Sequence, residues 1–269
     1  MKTRINLLSI IYLLFLMLLL LSGSFYGALS DVVYCLAFIV PALIYTFLER
    51  RVEGDFAAPR LFTKKSALVL PIVFPTVLLI FLLSLLTSSL IALAFGKGGG
   101  VDVGDNFWEA FLRHAIITSV LEEILFRYIP IRLLSPISAR AAIICSSLFF
   151  AMAHHSFFSF IYTFVAGVVF AFADIMCESI LPSVFLHMIN NTVSLLWIFY
   201  GESTIFAIWF YAVLAFLSIV SFVFIFIFGK EYAQTLERIR TSERVACTRE
   251  MLLFSIPPIL IAAAEIIRL

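Results

Sequence analysis

The chain has 269 residues, 63% of them hydrophobic and 13% charged, with a mean hydropathy of +1.13. A soluble domain carries about 25% charged residues, so half the charge needed to cover a water-facing surface is missing and a freely soluble globule is excluded. With 18 basic and 17 acidic residues the net charge is +1, which offers nucleic acid no electrostatic handle.

A membrane-spanning helix needs about 17–25 mainly apolar residues. In chain order, the stretches free of Asp, Glu, Lys and Arg are 5–21, 32–48, 66–96, 141–173, 179–201, 203–229 and 251–264. The first follows Lys2 and Arg4 and reads as an anchor, its apolar core being long for a signal peptide cleaved near Ala28, Leu29 and Ser30. The third contains Pro71 and Pro75, which predict a kink or tilt. Residues 106–134 form an apolar segment broken by Glu109, Arg113, Glu122, Glu123, Arg127 and Arg132. The last stretch is weak, with Pro257, Pro258, Glu265 and Arg268. Cys35, Cys145, Cys177 and Cys247 are scattered and show neither a disulfide framework nor a thiolate metal site.

As one helix, the 141–173 run would be about 50 Å long, well beyond a hydrocarbon core of about 30 Å. Charge decides its path. Basic residues cluster at Lys2 and Arg4, at Arg50 to Lys65, at Arg132 and Arg140, and at Lys230 to Arg249. All four clusters share one side only if 106–134 crosses the membrane and 141–173 is two helices turning near His155, Ser156 and Ser159. The opposite side then holds Asp31, the Lys97 to Asp105 loop and Glu202. The positive-inside rule puts the N-terminus in the cytoplasm. The reading is an all-α polytopic bundle of eight to nine transmembrane helices, integral to the cell membrane in a prokaryote. Its three parts are N-terminal helices in 1–106, a four-helix core in 107–200, and one or two C-terminal helices with a basic cytoplasmic loop in 201–269.

An ionised side chain near mid-bilayer costs about 2.5–3.5 kcal/mol on insertion scales, so buried polar residues are functional candidates. Here they are Glu122, Glu123, Arg127, His154, His155, Asp174 and His187. Asp174 and Glu178 lie near a helix end, where interfacial solvation suits both, and His155 falls at the turn. Counted from the basic residues, helix rise places Glu122, His154 and His187 about 15, 21 and 12 Å deep on three helices, so they can share one site. Glu123 and Arg127 are spaced i,i+4 and pair as a brace. Glu122 projects about 100° away, has no built-in partner, and suits a general base. Phe150 and His154 share a helix face, and so do His187 and Asn191, a donor pair of the kind that stabilises an oxyanion.

Glu122-Glu123-Ile-Leu-Phe-Arg127, Phe150-Ala-Met-Ala-His154 and His187-Met-Ile-Asn-Asn191 reproduce, in order, EExxxR, FxxxH and HxxxN, with Ser179-Ile-Leu-Pro-Ser ahead of the third. About a third of the chain, roughly 107–200, thereby resembles the CPBP family of intramembrane proteases, which includes CAAX prenyl endopeptidases and bacteriocin-processing or immunity proteins. The resemblance implies a glutamate-dependent endopeptidase. Glu122 and His154 would activate water, His187 and Asn191 would form the oxyanion hole, and Glu123, Arg127 and Phe150 would support them. The resemblance leaves metal participation open: HExxH is absent, so no metal is expected, with zinc on Glu122, His154 and His187 as the alternative. The substrate would be a small peptide or a membrane-tethered protein, met in the lipid bilayer. Two other readings are a non-enzymatic immunity or scaffold protein that binds a peptide, and an ion-coupled transporter, for which the usual inverted repeats are not visible.

Overall fold

The computed structural model describes residues 2–25, 27–52, 63–95, 103–154 and 157–242, and every regular element among them is a helix. Helices α1 (Lys2–Ser22) and α2 (Ala28–Val52) form an N-terminal hairpin. A 3-10 turn (Lys64–Val69) leads into α3 (Leu70–Phe95), and Pro75 sits inside that helix. The polar segment is one rod, α4, assembled from Phe107–Ala110, a π turn Phe111–Ile117, Thr118–Glu123, a second π turn Ile124–Tyr128, and Ile129–Leu134. Asn106 starts it, its side-chain oxygen accepting from the Trp108 and Glu109 amides at 2.9 and 3.3 Å. Helices α5 (Ala139–Ala153), α6 (Phe157–Cys177), α7 (Leu181–Tyr200), α8 (Thr204–Ile227) and α9 (Gly229–Thr241) follow.

Among the described residues, six helices are long and apolar enough to cross a membrane. Their outer faces carry large exposed side chains, such as Met17, Leu43, Trp209 and Phe226, with no protein against them. A surface this apolar is stable only against hydrocarbon, and the chain is a multi-pass membrane protein. The weak stretch 251–264, together with His155 and Ser156, lies outside the described residues.

The long run from 141 to 173 is two helices, as the charge argument requires. α5 ends at Ala153, with His154 as its C-cap, and α6 returns beside it. Gly167 on α6 allows the close approach: a Cβ there would stand 2.9 Å from the Ser147 Cα on α5. Backbone cannot move aside as a side chain can, so the small residue sets the spacing of the pair. Gly167→Leu is expected to destabilise the bundle by about 1–3 kcal/mol, the usual range for overpacking. The measurement is thermal unfolding of the purified protein in detergent, with an unchanged midpoint as the contrary result.

One end of the bundle gathers basic side chains from distant parts of the sequence. Arg4 donates to the Leu133 carbonyl at 3.4 Å, Arg140 to Ile239 O at 2.8 Å and Arg238 to Ile175 O at 2.9 Å. Lys65 and Arg238 flank the exposed Glu178 at 2.9 and 3.6 Å, and the Lys65 hydrogen bond is the larger reason that this carboxyl is held below the ordinary range. Glu178 adopts φ 54 as the left-handed residue closing α6, with the Ser179 amide donating back to Asp174 O at 3.2 Å. Asp174 departs from its expected interfacial solvation. It is buried, and its carboxylate accepts from the Ser183 amide at 2.9 Å, so it caps the first turn of α7.

Candidate active site

The polar residues of the middle of the chain meet along one seam between α4 and α7. On α4, Ala115, Ser119, Glu123 and Arg127 recur every four residues and are fully buried. On α7, Ser183, His187 and Asn191 recur with the same spacing. Two stripes of period four on crossing helices stay in contact over several turns, because i and i+4 lie nearly one above the other.

His187 is the hinge of the seam. Its Nδ1 lies 2.8 Å from Glu123 Oε1, and its Nε2 lies 3.7 Å from Glu122 Oε2. One imidazole is therefore shared by both carboxylates, and Glu122, which has no partner on its own helix, finds one on α7. Glu123 is sealed at 0% exposure and is also paired with Arg127, Nε to Oε2 being 3.4 Å. Glu122 keeps 9% of its surface accessible. The two neighbours thus differ: Glu123 is locked between a guanidinium and an imidazole, while Glu122, though also buried, keeps a little accessible surface and meets His187 at a longer distance.

Arg127 is held from several directions. Its Nη1 donates to Phe126 O at 3.2 Å and Ser146 O at 3.5 Å, and its guanidinium carbon lies 4.3 Å from the centre of the Phe150 ring. Such a cation–π contact is strongest where water is excluded. Phe150 is a platform for three groups, since its ring also packs edge-on against His154 at 4.7 Å and His187 at 5.5 Å.

His154 terminates α5, and its Nδ1 lies 2.8 Å from the Phe150 carbonyl. If Nδ1 carries the proton, that bond leaves Nε2 as the basic nitrogen. Among the described residues its ring reaches Phe150, whereas the histidine paired with Glu122 is His187. Asn191 is occupied elsewhere: its Nδ2 donates to His114 O at 3.0 Å and Ser119 Oγ at 3.3 Å, which ties α7 to α4. Among the described residues, no three of His, Cys, Asp and Glu converge as a metal-ligand set.

Two features here lie outside the three motifs. π turns interrupt α4 on both sides of Thr118–Glu123, and such bulges are frequent at functional sites. Ser183, one turn before His187, is buried beside Glu123 and Asp174. Its place on the His187 face could have been read from the i,i+4 spacing.

Residues 104–193 match the family described as Type II CAAX prenyl endopeptidase Rce1-like. The match covers a third of the chain and contains the seam, Phe150 and His154. Neither the curated proteins nor the solved structures give a match. This segment, which holds EExxxR, FxxxH and HxxxN on three packed helices, is similar to the CAAX-type intramembrane proteases of the CPBP family.

Proposed function

We propose that the protein is a glutamate-dependent endopeptidase that hydrolyses a peptide bond of a small peptide or a membrane-tethered protein, with Glu122 as the general base. The observation that carries this reading is the inequality of the two carboxylates: Glu123 is fixed by Arg127 and His187, while Glu122 retains accessible surface. A group that must take and return a proton needs that freedom, and a brace does not.

In the proposed reaction each group takes one part. A water molecule held between Glu122 and His154 attacks the scissile carbonyl carbon, and Glu122 takes its proton. The carbonyl π pair moves to oxygen, and the resulting oxyanion is stabilised by a proton on His187 Nε2. Collapse breaks the C–N bond, and Glu122 passes its proton to the leaving amine. Asn191 acts as a positioning residue, since its amide holds α7 in register with α4. No step is routed through a metal. In the membrane, the basic end of the bundle and the N-terminus lie on the cytoplasmic side, as the positive-inside rule directs.

His154→Ala is the test of the water-binding half. With the full chain in liposomes and a library of internally quenched peptides, kcat is expected to fall about 10²-fold or more while the protein keeps its elution profile and melting point. Cleavage at the wild-type rate would overturn the assignment.

A further inference from the structure

The basic end of the bundle holds a cavity that the seam does not use. Its volume is about 1050 Å³, at the upper end of the about 300–1,000 Å³ typical of small-ligand sites. It lies among the last turn of α4, the start of α5, the junction of α6 with α7, the end of α9 and the 3-10 turn ahead of α3, and none of Glu122, His154 and His187 lines it.

Its walls carry an excess of one charge. Lys64 and Lys65 come from the 3-10 turn, Arg132 from α4 and Arg238 from α9, so three segments far apart in the chain bring their cations to one space. The acidic groups on the walls are Asp174 and Glu178. Glu178 is engaged by Lys65 at 2.9 Å and Arg238 at 3.6 Å, and Asp174 caps α7 through the Ser183 amide. Four cations against two ionised carboxylates leave a balance of +2. Ser138 and Ala139 also line the cavity, at the start of the 15-residue α5, whose N-terminal end adds partial positive charge. Gathered cations repel one another, and a bound anion relieves that repulsion.

Depth points to the source of the anion. The cavity sits where α4 ends at Leu134 and α5 begins at Ala139, the level at which helices of this bundle leave the apolar layer. On another face of α9, Tyr232, Leu236 and Ile239 line an apolar groove of about 640 Å³ walled by α3, α5 and α6. Arg238 and Thr241 of the same helix line the cavity. α9 thus turns apolar side chains to a groove at acyl-chain depth and polar ones to the cavity, as an interfacial helix does. At that level of a bilayer the abundant anion is the lipid phosphate, and basic pockets between spanning helices suit such headgroups.

We propose that this cavity binds a phosphate ester, supplied by the headgroup of an anionic phospholipid, with Lys64 and Arg132 among the cations that hold it. The site is separate from the carboxylate seam, and its test involves no peptide cleavage.

The full chain in detergent is titrated with short-chain phosphatidylglycerol, with phosphatidylcholine of the same chains, and with inorganic phosphate, and binding is read by native mass spectrometry and by the unfolding midpoint. Phosphatidylglycerol is expected to bind about tenfold more tightly than phosphatidylcholine and to raise the midpoint, an advantage that added salt reduces. Lys64→Gln should weaken phosphatidylglycerol binding about fivefold, and Lys64→Gln with Arg132→Gln about thirtyfold, the increments of basic residues at a membrane surface. Lys64 is exposed, so its substitution leaves the fold intact and carries the test should the double variant not assemble. Lys230→Gln removes the same charge from α9 outside the cavity and should bind like the wild type. Equal affinity for the two lipids, wild-type affinity in Lys64→Gln, or an equal loss in Lys230→Gln overturns the site. Inorganic phosphate or an acidic peptide that binds more tightly than phosphatidylglycerol overturns the lipid as its occupant.

Discussion

Glu122→Gln is expected to reduce kcat for peptide cleavage by about 10²–10⁴-fold, the range associated with losing a positioned general base. The amide keeps the volume and can still meet His187 Nε2, so the seam should assemble and the melting point should change little. Glu122 is the more accessible of the two carboxylates, and its imidazole contact of 3.7 Å is longer than an ordinary hydrogen bond. Glu123→Gln makes the contrast. It replaces the carboxylate that meets His187 Nδ1 at 2.8 Å and Arg127 Nε at 3.4 Å, so activity and stability should fall together. Paired measurements of kcat and melting point on the two variants separate a chemical group from a brace. Equal melting losses in both would contradict the division of roles.

The second large effect concerns the charge beneath that brace. Arg127 is fully buried beneath the Phe150 ring, and Arg127→Met would leave Glu123 ionised without its guanidinium. Removing one partner of a buried ion pair costs about 3–5 kcal/mol, because the survivor is left uncompensated. The expected result is a marked loss of stability in detergent. The double variant Arg127→Met with Glu123→Gln should recover much of it, since a neutral pair does not carry the desolvation penalty. Unfolding midpoints of the two single variants and the double variant form the cycle. Strict additivity would show that the two side chains do not interact energetically.

Much of this arrangement was legible before any coordinates. The i,i+4 spacing of Glu123 and Arg127 predicts their pairing, because helix geometry alone brings those side chains together. The break in the 141–173 run followed from charge and length, since a helix of that span would strand the Lys230–Arg249 cluster on the wrong side of the bilayer. What spacing could not show was contact between helices. Glu122 has no partner on α4 and gains one only because α7 crosses there, and Asn191 turns toward Ser119 and His114 for the same reason. Asp174 looked interfacial from its distance to the helix end, but the N-terminus of α7 folds over it and buries it as a cap.

By itself, the sequence determined that this protein lives in a bilayer, which end of it is basic, and which few polar side chains lie within the apolar core. Those properties follow from composition and from periodicity along single helices, where energy depends on local rise and on transfer from water. Only the tertiary structure decided that one imidazole serves two carboxylates and that π turns interrupt α4 on both sides of that carboxylate pair. The physical reason is that a buried polar group must find a partner, and in a helix bundle the available partners are set by how the helices cross.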